Sequence, residues 1–134
     1  MAKKLELKSL IGSEFRGSSP IGNNFSVITD GKERDFSVET YAPILHGNIF
    51  AFAHCYIVPL HDDTDRIIAD VIYDGEIDSG SASAQVTFVN REGEVLYSIY
   101  AYEGRHEYTA LEHYGKVYVR EFSGTKVVGV EELV

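Results

Sequence analysis

The chain has no tryptophan, one cysteine and three prolines in 134 residues. A lone thiol, Cys55, rules out an internal disulfide, so packing and hydrogen bonds alone must hold the fold. Basic residues never cluster, and 21 acids against 12 bases leave a net charge of −9. Phosphate contacts supply most nucleic-acid affinity, and membrane surfaces are usually anionic, so neither nucleic acid nor membrane is an expected partner. The most apolar stretch, Ile49 to Leu60, is interrupted by His54 and Pro59 and is too short to span a bilayer. Met1-Ala2-Lys3-Lys4 leads into alternating Leu and Glu, not an apolar leader core, and a cytoplasmic location is the expectation.

The motifs of several common chemistries are missing too. No phosphate-cradling glycine loop, G-x-S-x-G elbow or zinc-finger spacing occurs. Asp74-Gly75-Glu76 opens like a calcium loop, but Ser79 and Gln85 stand where that loop needs Gly and Glu. His61 with Asp62, Asp63 and Asp65 reads as a solvated acidic turn, since no two histidines stand at tetrahedral-site spacing. His54 and Cys55 are strand neighbours pointing to opposite faces, which separates base from nucleophile. No metal and no cofactor is implied.

What is present is strand after strand. With 44% hydrophobic and 25% charged residues, the chain has the composition of one ordinary globular domain, residues 1–134. Residues 1–23 read as a short helix or strand around Leu5, Leu7, Leu10 and Ile11, followed by a loop over 17–24. From Asn24 onward apolar and polar residues alternate. Asp30-Gly31 and Asp74-Gly75 are hairpin signals, and glycines at 93, 104, 115 and 124 mark further turns. The pattern predicts an all-β fold, a single antiparallel up-and-down barrel of about eight or nine strands, with a β-sandwich as the alternative. Residues 47–58 are apolar on both strand faces, which predicts a deep strand or one covered by a second copy in a homodimer.

The candidate site rests on strand periodicity. Residues two apart share a face, so Tyr118 points with Arg120, and Tyr100 with Tyr102. If those faces are interior, a guanidinium among phenols suits a carboxylate on a hydrophobic ligand. The competing assignment makes Val117 and Val119 the core and puts Arg120 on the solvent side. His54, mid-strand among Phe50, Phe52 and Tyr56, and His106 complete the candidate ligand-binding set.

Leu10-Ile11-Gly12 ahead of Phe15 and Gly17 resembles the opening of lipocalin-like barrels, which usually carry a Trp after that glycine. Tyr118-Val119-Arg120 is similar, in reversed order, to the acid-binding Arg-x-Tyr of fatty-acid-binding barrels. Each resemblance covers only a few residues; it is an analogy of architecture and assigns no family.

Three functions follow as expectations. The first is a barrel holding a small hydrophobic or acidic ligand. The second is an acidic interaction or inhibitor module, presenting segment 61–78 to a basic protein partner: residues 35–80 hold nine acids against Arg66 alone. The third is a barrel enzyme of lyase or isomerase type, using His54 or His106 as base and a Tyr or Arg120 to stabilise negative charge.

Overall fold

The computed structural model describes residues 3–19, 23–41, 49–78, 81–105 and 116–134. Its strands are β1 (Lys3–Lys4), β2 (Glu14–Ser19), β3 (Asn24–Thr29), β4 (Lys32–Tyr41), β5 (Ile49–Ile57), β6 (Asp70–Asp78), β7 (Ser81–Val89), β8 (Val95–Arg105), β9 (Lys116–Ser123) and β10 (Lys126–Glu132). One 3-10 turn, Leu7–Leu10, follows β1 and buries Leu7 and Leu10. The strands form a six-stranded sheet in the order β1-β10-β9-β4-β3-β2 and a four-stranded sheet in the order β5-β8-β7-β6.

Period-two alternation decides what each sheet buries. The first sheet turns Phe25, Val27, Phe36, Val38, Val117 and Val119 into the core; the second turns in Val71, Val86, Phe88, Tyr97, Ile99 and Ala101. Aromatic rings join the two layers. Phe25 stacks on Phe36 at 4.9 Å and meets Phe88 and Tyr97 of the other sheet at 5.5 and 5.0 Å. Phe15 lies 5.5 Å from Tyr97. The sheets therefore face each other across a single apolar layer.

An all-β fold is what the alternation predicted, but the strand order is not that of an up-and-down meander. β4 pairs with β9 and β5 with β8, so the chain changes sheet after β4 and again after β8. Tight turns force neighbouring strands to pair; the long connections 42–48, 58–69 and 106–115 do not. Among the described residues no strand ladder closes the two sheets into a barrel. They are stitched at one edge, where an isolated bridge joins Glu14 to Ile67 and Gly12 N–H donates to Ile68 O at 2.8 Å.

The turn signals divide instructively. Asp30-Gly31 forms the β3–β4 hairpin with φ of 52° and 76°, the positive pair that a two-residue turn of this hand needs. Gly93 and Gly124 also turn the chain at positive φ, 81° and 64°. Asp74-Gly75 does not: β6 runs straight through it, and Gly75 pairs with Ala84. That glycine serves a close approach, since a Cβ there would sit 2.9 Å from the Ser83 carbonyl oxygen. Gly104 likewise lies inside β8, and the strand β2 claims residues 17–19 from the predicted loop. The expected turn at Gly115 falls outside the described residues, as does His106.

Two substitutions test this core. Phe25→Ala should lower stability by about 3–5 kcal/mol in urea denaturation, because it removes the ring common to both sheets. Gly75→Ala should cost roughly 1–3 kcal/mol, by forcing β6 and β7 apart. A neutral Gly75→Ala would mean the two strands do not approach as described.

Candidate functional site

On β9, Val117 and Val119 are fully buried, so Tyr118 and Arg120 lie on the face turned away from the core. There the Arg120 Nε stands 2.7 Å from the Glu39 Oε2 of β4, and the guanidinium lies 5.4 Å from the centre of the Tyr118 ring. The arrangement is a half-exposed ion pair leaning on a phenol. Its positive charge is already matched, unlike the lone guanidinium an acid-binding interior would offer.

Tyr100 and Tyr102 are on β8, where Ile99 and Ala101 fill the core, and so they too face outward, but on the other sheet. The structure does not bring the two tyrosine pairs together; the core layer lies between them. Strand register places other groups beside Tyr100 and Tyr102. Asp74 of β6 pairs with Gln85 of β7, which pairs with Tyr100; Glu76 pairs with Ser83, which pairs with Tyr102. Residues directly opposite share a face, so carboxylates, short polar groups and phenols form parallel rows. Ile72, Asp74 and Glu76 are exposed. β6 is also an edge strand, and its Val71 N–H is taken by the Asp70 Oδ1 at 2.8 Å. The His54 backbone stands in register with Tyr100, its side chain lying outside the described set, as does the whole of His106.

In the acidic turn, Asp65 is the carboxylate held by side-chain hydrogen bonds. Asp65 receives Arg91 Nε and Nη2 at 2.7 and 2.8 Å, a bidentate pair, and its Oδ1 accepts Ile67 N–H at 3.1 Å. Asn90, 2% exposed, ties this turn to the β7–β8 hairpin. Its amide donates to Asp65 O and Glu94 Oε1, while its Oδ1 accepts the N–H groups of Glu92 and Glu94. His61, Asp62 and Asp63 stay exposed. Among the described residues no group of His, Cys, Asp and Glu could hold a metal ion.

Two buried or half-buried phenols stand apart. Tyr97 is fully buried, its hydroxyl makes no well-formed hydrogen bond among the described residues, and its polar neighbour is the Cys55 thiol. Loss of solvation pushes both groups toward the neutral form, raising the phenol and the thiol above their ordinary values. Tyr73 donates a short hydrogen bond to the Glu131 Oε2, and Leu7 N–H reaches Oε1 of the same carboxylate at 2.9 Å. This clamp links β6, β10 and the 3-10 turn and edges a cleft of about 540 Å³ with Lys4, Lys8 and Glu132.

A larger cleft, about 800 Å³, opens on the outer face of the first sheet along Ser18, Asn24, Ser26, Asp35, Ser37, Glu39, Phe122 and Thr125. Sequence reading missed it, because Asp35, Ser37 and Glu39 come from β4 while Phe122 comes from β9, whose pairing alternation cannot reveal. The rows of Asp74 and Glu76 were missed for a similar reason: the assumed turn at Gly75 split them. Comparison with protein-family models, with curated proteins and with solved structures finds no match. Fold and geometry define an all-β protein of two facing sheets.

Arg91 holds the Asp65 carboxyl down to about 2, from an ordinary 3.8, chiefly through the hydrogen-bonded pair. A depressed carboxylate contributes stability above its unfolded value and loses it as pH falls from about 4 through 2. Arg91→Gln should therefore raise the Asp65 titration in carboxyl NMR and move acid unfolding to higher pH. An unmoved Asp65 titration would show that Arg91 is not the cause.

Proposed function

We propose that the protein is an acidic interaction module whose second sheet takes a basic segment of a partner protein on its outer face, along β6. The observation that supports this is the pair of cross-strand rows, Asp74–Gln85–Tyr100 and Glu76–Ser83–Tyr102. Carboxylates at one end of each row suit Lys or Arg, and phenol rings accept a guanidinium or an aliphatic stem on their faces. The exposed Ile72 adds an apolar anchor on the same side. Segment 35–80, with nine acids and a single arginine, would steer such a partner toward β6. In this reading the facing sheets are a β-sandwich, the aromatic layer filling the space that a barrel would leave for a ligand.

A ligand held between the sheets is the second reading. One observation favours it: the buried Tyr97 hydroxyl, beside Cys55, lacks a well-formed hydrogen bond among the described residues. Arg120 has no part in it, since it lies beyond the core next to Glu39.

A short peptide of alternating Lys and Thr, titrated into isotope-labelled protein, separates the two. Amide shifts should map to β6, β7 and β8, and affinity should fall roughly tenfold from low to physiological salt. Asp74→Asn with Glu76→Gln should weaken binding by a similar factor without moving the thermal midpoint. Absence of binding, or binding indifferent to salt, would remove the proposal.

A further inference from the structure

The outer cleft of the first sheet has a chemistry of its own, independent of the acidic strand. Its walls carry the hydroxyls of Ser18, Ser26, Ser37 and Thr125, the Asn24 amide and the Asp35 carboxylate. None of these six side chains makes a hydrogen bond or ion pair with a described residue. By contrast, Ser13 bonds Thr29, Gln85 and Thr87 bond Ser98, and Asn90 makes four hydrogen bonds to three residues. Register makes the set compact. Ser26 pairs with Asp35 and Asp35 with Phe122; Asn24 pairs with Ser37 and Ser37 with Arg120. Adjacent strands lie about 4.8 Å apart and same-face residues about 6.8 Å along a strand, so the patch spans roughly 10 by 14 Å.

The residue types specify the ligand. Hydroxyls and an amide both donate and accept, which matches a ligand rich in groups that do the same. The half-buried Phe122 ring supplies an apolar surface beside them, suited to the C–H face of a saturated ring. Among the described residues of the lining, Asp35 is the charge without an opposite partner, because Arg120 neutralises Glu39. That carboxylate accepts hydrogen bonds from hydroxyls and repels phosphate or carboxylate. We infer that this cleft binds a neutral, polyhydroxylated ligand of carbohydrate type, with Phe122 as its platform and Asp35 as its principal acceptor.

Maltotriose, cellotriose and xylotriose, each at millimolar concentration, would be titrated into labelled protein, with glucose 6-phosphate as the anionic arm. At least one trisaccharide should shift the amides of Asn24, Ser26, Asp35 and Ser37, and glucose 6-phosphate should not. Asp35→Asn should weaken that binding roughly tenfold, the loss expected for one hydrogen bond to a charged acceptor. Phe122→Ala should weaken it further, and Ser37→Ala, a smaller change, guards against a misfolded Phe122 variant. The inference is overturned if no trisaccharide shifts these amides, if shifts survive Asp35→Asn and Ser37→Ala unchanged, or if glucose 6-phosphate binds as well. The Lys-Thr peptide maps to the other sheet, so either site can fail without the other.

Discussion

Everything else in the molecule depends on the meeting of aromatic rings between the sheets. Phe25 touches Phe36 within its own sheet and Phe88 and Tyr97 across the interface, while Phe15 closes on Tyr97 from the side. Rings of this size remove more apolar area from water than any other side chains here, and their offset and edge-on contacts fix how the sheets sit. Once they are inside, strict alternation sends their neighbours out. Tyr118, Arg120, Tyr100 and Tyr102 are outward because Val117, Val119, Ile99 and Ala101 are inward.

The electrostatics follow from that sorting. Arg16, Arg34, Arg91 and Arg120 each meet a carboxylate, at 3.1, 2.6, 2.7 and 2.7 Å. Arg34 is the least exposed of them; it grips Glu121 with two nitrogens and lies 5.5 Å over the Phe36 ring, extending the aromatic column to a half-buried ion pair. Exposed pairs such as Arg16–Glu33 contribute little to stability, commonly about 0–1 kcal/mol. Their larger effect is on what remains. With these four arginines paired to carboxylates, β6 presents Asp70, Asp74 and Glu76 as exposed acids.

Much of the fold was legible in the chain. Alternation in Phe25–Thr29, Ala84–Val89 and Val117–Phe122 reported strands and their buried faces, and Asp30-Gly31 reported its hairpin, because both signals act over a few neighbouring residues. Strand order was not legible. Asp35 and Phe122 carry no mark of being partners, since antiparallel pairing at that separation is set by packing of whole sheets. Gly75 shows the same limit in miniature: a glycine after Asp reads as a turn, yet here it makes room for the Ser83 carbonyl of the adjacent strand. The candidate site suffered most. Whether Arg120 or Val119 faced inward was an explicit alternative, and both pointed to real patterns, but only the packed sheets could choose.

The pairing of β4 with β9 also sets how the molecule must come together in time. Lys116 meets Tyr41 and Phe122 meets Asp35, so the centre of the six-stranded sheet exists only after most of the chain has been made and brought back. Local hairpins such as β3–β4 can form in microseconds, but non-local sheets commonly assemble over milliseconds to seconds. In that interval the edge of β4 that β9 will pair with stays open, a row of unpaired N–H and C=O groups that another chain can engage. Copies of a chain with a net charge of −9 repel one another, which opposes such pairing until β9 arrives.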